Sequence, residues 1–305
     1  MIKYIVKRVL FGVLTLLALI TATFFLTRLM PGNPFDMANV RQEAQDRIMA
    51  YYGLDQPAGQ QYLRYVENIL RGDFGISYKK AGSTVNELIA AKAPYTLRLG
   101  ALAYLISAVL GIPAGIWMAT TRRESVRGAL LTLTTIGVSV PNYVLALVLM
   151  LVFGVMLGWF PVLGLTTPAH YVMPLVALSV YPMTQIARLV KSSYSEAMRQ
   201  DYVIMARAKG IAKLRVSSVH ILKNALVPVI TASGPMLAFL LTGSFVVENI
   251  FTIPGIGREF VNAVSNRDYT VIMGLTAFIG ILIVAFNLLS DILCTFVDPR
   301  MKLAD

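Results

Sequence analysis

The sequence predicts an all-α protein: a polytopic membrane helix bundle with six transmembrane helices and a small external subdomain after the first. Hydrophobic residues make up 56% of the 305 residues, only 14% are charged, and the mean hydropathy is +0.67. A soluble domain usually has about 25% charged residues. The apolar residues also fall into six long runs separated by polar loops, so lipid is the expected solvent.

The first element is an uncharged run from Val9 to Thr27 that follows Lys3, Lys7 and Arg8. A hydrocarbon core of about 30 Å is crossed by roughly 20 helical residues, which this run nearly supplies. A cleaved signal peptide has a shorter apolar region of about 7–15 residues. We therefore predict that residues 1–30 form an uncleaved N-terminal transmembrane helix.

A polar region, residues 31–94, comes next and is predicted to be extracytoplasmic. It carries as many acidic as basic residues, and a loop of this length has little influence on membrane orientation. Two stretches within it have the pattern of short helices, Arg41–Tyr52 and Gln60–Leu70. This region is the predicted external subdomain.

Residues 95–298 are predicted to form a five-helix core, followed by a cytoplasmic tail at 299–305. Six prolines interrupt its apolar runs, which predicts kinks, because neighbouring helices in a membrane bundle can satisfy the freed backbone groups. The predicted spans are Leu97–Ala119, Gly128–Leu157, Tyr171–Val190, Ala225–Val247 and Thr270–Phe296.

The basic residues predict the orientation. The loop after the second span holds Arg122, Arg123 and Arg127, the loop at 191–224 is strongly basic, and the loop Gly158–His170 has neither Lys nor Arg. Positive charge in short loops marks the cytoplasmic side. More than half of the 27 Lys and Arg residues fall on one side under this arrangement, so both termini are predicted to be cytoplasmic in the inner membrane.

Several classes of function are disfavoured. The net charge of +11 is spread over loops and is not gathered on one polar domain, which argues against a nucleic-acid binder. The sequence contains neither GxxxxGK[ST] nor HExxH, and its two histidines, His170 and His220, belong to opposite sides of the membrane. We therefore expect no catalytic site, no metal site and no cofactor in this chain.

Few polar side chains lie within the spans. Asn142, Gln185 and Asn287 either line a polar path or form hydrogen bonds between helices. Asp291 is the lone carboxylate inside a span, whereas a proton-coupled secondary transporter would be expected to carry a chain of buried acids.

The basic loop 191–224 contains a segment with helix signals. Asp201 is a favourable N-cap residue, and Gly210 can adopt the left-handed conformation that ends a helix. These signals predict a helix over Tyr202–Lys209 of about 12 Å. Its small residues, Ala206 and Ala208, would allow a partner's surface to approach closely, so the segment is predicted to dock into a partner.

This loop resembles the cytoplasmic EAA loop of ABC-importer permeases, in the form found in the peptide and nickel import family. Ile204 stands where the general consensus of that loop has a glutamate. The matching residues are Glu196, Asp201, Tyr202, Ala206, Arg207, Ala208, Lys209, Gly210, His220, Asn224, Ala225 and Pro228.

The resemblance extends over essentially the whole chain and is strongest to the B-type subunit of oligopeptide or dipeptide permeases. It implies the type I importer-permease fold. The further matching segments are Pro31–Pro34, Tyr52–Pro57, Gln61–Tyr62, Gly72–Gly75, Glu248, Pro254–Gly257, Arg267–Tyr269 and Asp298–Arg300.

The resemblance implies a function: a permease subunit, and not an enzyme, of an ATP-driven importer that moves peptides across the cytoplasmic membrane. It also implies partners, namely a second permease subunit, two ATPase subunits that bind ATP and Mg, and an extracytoplasmic peptide-binding protein. Nickel, glutathione or another solute is the alternative cargo. A stand-alone secondary transporter or channel, or a membrane receptor, is the alternative class.

The resemblance also assigns roles to residues. The matching residues from Glu196 to Asn224 would couple the chain to the ATPase. The last outer loop would meet the binding protein or fold into the pathway. Its Pro–Gly turn has an alternative role, which is only to shape the loop. Arg267 and Asp268 have the alternative of forming a local ion pair. Its candidate residues are Glu248, Phe251, Pro254, Gly255, Gly257, Arg267 and Asp268.

Overall fold

The computed structural model describes residues 2–29, 43, 46, 49–51, 53, 55–77, 79–80 and 82–297. The described part of the chain is helical, with one isolated β-bridge between Ile76 and Thr84. We number the main helices in chain order: α1 Ile2–Leu29, α2 Ala58–Leu70, α3 Val85–Thr120, α4 Glu124–Ser139, α5 Asn142–Leu149, α6 Ala169–Ala197, α7 Asp201–Ala208, α8 Val227–Ile250, α9 Ile256–Ser265 and α10 Tyr269–Val297.

Five of these helices, α1, α3, α6, α8 and α10, are long and apolar enough to cross a membrane. The bent pair of α4 and α5 brings the number to six if the pair is one span. The predicted all-α membrane bundle is therefore confirmed. The loops divide between two ends of the bundle, which we call the basic end (residues 121–123 and 198–226) and the opposite end (residues 157–168 and 251–268).

The predicted third span, Gly128–Leu157, is wrong as a single helix. Helix α4 ends at Ser139, and the axis turns by 97° before α5 begins at Asn142. Val140 is extended, with φ −83° and ψ 118°, because the ring of Pro141 disfavours helical backbone at the residue before it. After α5 the chain continues as a π-helical turn, Met150–Met156.

The second predicted span begins too late. Helix α3 starts at Val85 rather than Leu97, because Thr84 and Glu87 form a capping box that fixes the helix N-terminus. The Thr84 hydroxyl accepts from Glu87 N at 3.1 Å, and the Glu87 carboxylate accepts from Thr84 N at 3.0 Å. Charged residues in this first part of the helix break the apolar run that defined the predicted span.

Helices α3 and α6 form the most extensive helix pair in the bundle. A Cβ atom at Gly111 would lie 2.6 Å from the carbonyl oxygen of Met183, and one at Gly115 would lie 2.6 Å from that of Ala187. Small residues at such positions allow two membrane helices to approach backbone to backbone. The Ser107 hydroxyl donates across the pair to Ser179 O at 2.9 Å.

The external subdomain is represented by α2, which agrees with the predicted helix Gln60–Leu70. Its buried residues Tyr65 and Ile69 pack with Phe24 of α1 and Met273 of α10. The predicted helix Arg41–Tyr52 is only partly covered by the described residues. Pro31–Pro34, Asp298–Arg300 and the tail 299–305 lie outside them.

Candidate functional site

At the basic end, α7 is a two-turn helix that begins one residue earlier than predicted. Asp201 is its first residue, and the N-cap is Gln200, whose backbone is extended (φ −76°, ψ 148°). The prediction of Asp201 as the N-cap is therefore wrong. Its carboxylate still lies in the first turn, where a negative charge interacts favourably with the helix dipole.

The C-terminus of α7 follows the prediction for Gly210, which is left-handed with φ +74°. Gly210 N donates to Arg207 O at 3.0 Å, and Ile211 N donates to Ala206 O at 3.2 Å. These two bonds form a Schellman motif, which ends the helix sharply and reverses the chain. Helix α7 is therefore a short helix with defined ends, between α6 and the segment after Gly210.

The two faces of α7 have different environments. Val203 and Ala206 are buried against the end of α6 and the following segment. Ala206 thus faces the body of the chain and cannot offer a small surface to a partner, although Ala208, Arg207 and Lys209 are exposed. The exposed apolar side chains are Ile204 and Met205, at 58% and 59%.

Sequence reasoning missed the importance of Ile204 and Met205. The helical repeat contained the signal, because two adjacent apolar residues that follow the buried Val203 must point away from the buried side. Leu214, in the short helical piece Lys213–Arg215 that follows α7, is 82% exposed and was also missed. The apolar face of α7 that is free to contact another protein is therefore the one formed by Ile204 and Met205.

The chain returns to the bundle through three short helical pieces, Lys213–Arg215, Val216–Leu222 (π-helical) and Lys223–Ala225, which we call the return segment. Asn224 Nδ2 donates to Tyr202 Oη at 3.0 Å and to His220 O at 3.0 Å. The structure thus brings three predicted coupling residues together. Glu196 lies apart, exposed in the last turn of α6.

At the opposite end the structure centres on Glu248, which is fully buried near the end of α8. Its carboxylate accepts from Thr96 Oγ1 of α3 at 2.8 Å and from Ser244 Oγ at 3.0 Å. It also accepts from Gly257 N at 2.8 Å and Arg258 N at 3.2 Å, in the first turn of α9. One carboxylate therefore joins three helices and caps the N-terminus of α9.

The glycines of this loop are explained by the same carboxylate. A Cβ at Gly255 would lie 2.3 Å from Glu248 Oε2. A Cβ at Gly257 would lie 2.9 Å from the same oxygen and 2.4 Å from the Cα of Phe245. Phe251 and Ile253 are buried, and Pro254 is half-buried. The loop is therefore folded into the bundle rather than projecting from it.

Asp268 is also buried, immediately before α10. It accepts from Ser77 Oγ at 2.5 Å and from Thr270 Oγ1 at 2.9 Å. Lys80 forms a salt bridge with Glu259 of α9. Asp268 and Glu259 thus fasten the residues just before α3 to the end of the bundle. Arg267, the other predicted residue here, is exposed.

The three predicted pathway residues lie in three different helices. Asn142 is the first residue of α5, directly after the bend. Gln185 Nε2 donates to Tyr181 Oη at 3.2 Å, within α6. A Cβ at Gly234 of α8 would lie 2.9 Å from Asn287 Oδ1, so Asn287 packs in the contact between α8 and α10. In the described residues, no group of three His, Cys, Asp or Glu could hold a metal.

The sequence matches two models of known protein families. Residues 111–303 match the family described as "Binding-protein-dependent transport system inner membrane component". Residues 1–100 match the model for the N-terminal part of such membrane components.

Individual relatives cover nearly the whole chain. The dipeptide transport system permease protein DppB of Bacillus subtilis (strain 168) is 41% identical over 304 residues, covering 99% of both chains. The oligopeptide transport system permease protein OppB of Haemophilus influenzae is 38% identical over 305 residues, covering 99% of this chain and 100% of the relative.

Among solved structures, an inward-facing conformation of the MetNI methionine ABC transporter is similar with a TM-score of 0.58 and 19% identity, covering 69% of this chain and 96% of that one. This similarity supports the predicted type I fold. From the family match and the two permease relatives, we conclude that the chain belongs to the family of binding-protein-dependent transport system inner membrane components.

Proposed function

We propose that this chain is the transmembrane permease subunit of an ATP-driven importer that moves peptides across the inner membrane. The observation that carries the proposal is α7, a short capped helix that presents Ile204 and Met205 from an otherwise basic surface. The names of the relatives, dipeptide and oligopeptide permeases, supply the substrate class.

The orientation follows from charge. The basic end carries Arg122, Arg123 and the basic residues of 199–223, so the positive-inside rule assigns it to the cytoplasm. With six spans, both termini would lie in the cytoplasm. The opposite end, with Glu248 and Asp268, would then face the outside.

The partners follow from the same arrangement. Because the sequence has no P-loop motif, ATP and Mg would be bound by two separate ATPase subunits that contact α7. A second permease subunit would complete the pathway, and an extracytoplasmic peptide-binding protein would deliver the cargo to the opposite end.

The packing indicates how a movement of α7 reaches the membrane. Val203 and Ala206 belong to one buried cluster with Val190 of α6 and Val229 of α8. Close-packed interiors transmit displacement, so α7 would move together with these two helices. At the opposite end Glu248 ties α8 to α3, and the bundle therefore acts as a two-state element that nucleotide binding to the ATPases biases.

The test is purification of the tagged chain from its native membrane in mild detergent, with mass spectrometry of the proteins that accompany it. We expect a second permease and two P-loop ATPases near stoichiometric amounts. Ile204→Glu should release the ATPases, whereas Ser218→Glu, at an exposed site of the return segment, should not. Recovery of the chain alone and monodisperse would favour a stand-alone transporter or channel.

The substrate class is tested separately, by uptake of a labelled dipeptide, a labelled tripeptide and nickel into cells that lack the chromosomal copy of this chain. Complementation that restores peptide uptake supports the proposal. Restoration of nickel uptake alone would contradict it and leave the membrane role of the chain intact.

A further inference from the structure

The basic end contains a cavity of about 670 Å³ beside α7. Its wall is formed by the ends of α3 and α6 and by the chain that follows α7. Three basic residues line it, Arg122, Arg207 and Lys213, together with apolar side chains that include Met198 and Ile211. The cavity thus combines a cationic and an apolar surface.

The wall of the cavity is held in place by the surrounding structure. Gly210 reverses the chain with its left-handed backbone, which directs residues 211–217 back towards α6. Tyr194 Oη and Ser217 Oγ are 2.5 Å apart, so a hydrogen bond joins α6 to the return segment. Val216 and Ile221, which also line the cavity, are buried. The cavity is therefore not a gap between two loosely placed loops.

The charge in the cavity is unbalanced. No Asp or Glu lines it, and within the described part of the chain none of its three cations takes part in a salt bridge. Like charges gathered on one concave surface attract an anion and raise its local concentration. The guanidinium groups of Arg122 and Arg207 have the planar donor geometry that suits phosphate oxygens.

The cavity lies where a membrane helix leaves the bilayer. Thr120, which lines it, is the last residue of α3, and Trp117 one turn earlier is 56% exposed. Tryptophan is enriched at the level of lipid headgroups. The cationic surface of the cavity is therefore near the headgroups, and Met198 and Ile211 add apolar surface.

We propose that this cavity binds the phosphate headgroup of an anionic phospholipid from the leaflet at the basic end. Basic pockets between membrane helices at the cytoplasmic side bind such headgroups. A free phosphate ion offers the same oxygens but nothing to cover the apolar part of the wall. The inference is independent of the peptide substrate, and it assigns to Arg122 and Lys213 a role that the α7 contact does not need.

The experiment is native mass spectrometry of the full-length chain in mild detergent, titrated with phosphatidylglycerol, with phosphatidylcholine, or with inorganic phosphate. The test variant is Arg122→Gln with Lys213→Gln. The matched control is Arg199→Gln with Arg215→Gln, which removes the same charge from exposed residues of the same end that do not line the cavity.

We expect the wild-type chain to retain phosphatidylglycerol in preference to phosphatidylcholine, and the test variant to bind it roughly 25-fold more weakly, given about fivefold for each basic residue removed. The control should stay within about threefold of the wild type. Arg122→Lys with Lys213→Arg keeps both charges and should bind phosphatidylglycerol more tightly than the test variant does, because charge contributes to the attraction independently of the donor geometry. For the wild-type chain, raising the salt concentration should weaken the binding of phosphatidylglycerol but not that of phosphatidylcholine. This measurement tests whether the charge of the cavity attracts the headgroup, without any variant.

Several results would overturn the proposal. Equal weakening by the test and control variants would show that the cavity is not the site. Equal affinity for the two lipids, or binding that persists at high salt, would show that its charge does not select the ligand. Saturation by inorganic phosphate alone would make it a site for a free anion. Unchanged lipid binding by the test variant would show that Arg122 and Lys213 do not hold the headgroup.

Discussion

The two ends of the bundle differ in how their loops are held. At the opposite end the polar groups point inward: Glu248 accepts four hydrogen bonds, and Asp268 fastens the residues before α3. At the basic end most of the exposed charged groups are basic, and the apolar Ile204 and Met205 are exposed beside them. Helix α7 is joined to the return segment by the Tyr202–Asn224 bond and by buried alanine and valine. One end is built for rigidity and the other for contact with a partner. Substitutions at the first end should therefore lower stability, and substitutions of exposed residues at the second should lower ATPase recovery.

The largest effect is expected for Glu248→Ala. The substitution leaves two backbone N–H groups and two hydroxyls without their acceptor in a buried place, and each unsatisfied group costs about 1–3 kcal/mol. We expect a loss of roughly 3 kcal/mol or more in unfolding free energy, measured by SDS titration of the purified chain followed by circular dichroism. Glu196→Ala, at an exposed glutamate in the last turn of α6, is the control and should be nearly neutral. Equal stability of the two variants would contradict the structural role of Glu248.

A second large effect is expected at the buried face of α7. Ala206→Glu places a charge without a partner in the cluster around Val203, which is costly, and should destabilise the chain by roughly 2–4 kcal/mol. Ile204→Glu, two residues away on the exposed face, should leave the unfolding transition unchanged and act only on ATPase recovery. If Ala206→Glu were stable and merely released the ATPases, our assignment of the two faces would be reversed.

A somewhat smaller effect is expected at Gly255, where a Cβ would lie 2.3 Å from Glu248 Oε2. Gly255→Ala forces the carboxylate or the loop to move, and such overpacking costs about 1–3 kcal/mol. The matched control is Gly128→Ala, in α4, where no heavy atom would lie within 4 Å of the new Cβ and where alanine favours the helix. The melting temperatures of the two variants should therefore move in opposite directions, and a shared direction would count against the close approach at Gly255.

A modest effect is expected at Gly210, because alanine rarely adopts its φ of +74°. Gly210→Ala should cost about 1 kcal/mol and fray the end of α7. Gly59→Ala, in the first turn of α2, tests the same change without a left-handed backbone. Hydrogen–deuterium exchange of residues 206–211 should rise only in the first variant; unchanged exchange would contradict the proposed helix stop.

The smallest effect is expected for Tyr202→Phe, which removes the acceptor of the Asn224 amide at a partly exposed site. A hydrogen bond of this kind contributes about 0.5–1.5 kcal/mol. We expect a slight loss of stability and a faster exchange of the amide protons of α7. Ser218→Ala, which removes an exposed hydroxyl of the return segment, should change neither; a variant Tyr202→Phe without either effect would show that the bond does not hold α7.

The sequence was sufficient to predict the spans wherever a helix is apolar along most of its length, as in α1, α8 and α10. It was less reliable where charge or proline lies within the helix. Helix α3 begins before the apolar run, because its start depends on the capping box of Thr84 and Glu87, and the pair α4–α5 bends because of Pro141.

The site was predictable in part. The helix stop at Gly210 and the position of α7 follow from local backbone preferences, which short motifs encode. The inward direction of Glu248 could not be predicted, because it depends on Thr96, more than 150 positions earlier in the sequence. The inward direction of Ala206 depends on Val216, which lies beyond the chain reversal at Gly210. Pairings of this kind are fixed only when the helices assemble.

The bend between α4 and α5 has a consequence for what surrounds the bundle. An isolated break in a membrane helix exposes backbone groups that hydrocarbon cannot satisfy, so it is tolerated only where protein or water meets it. Pro141 is exposed on the surface of this chain, and because proline has no N–H it cannot continue the backbone hydrogen bonds of α4. The surface of the bundle is therefore not covered uniformly by lipid tails. At the bend, the chain contacts either a water-filled space or another polypeptide in place of acyl chains.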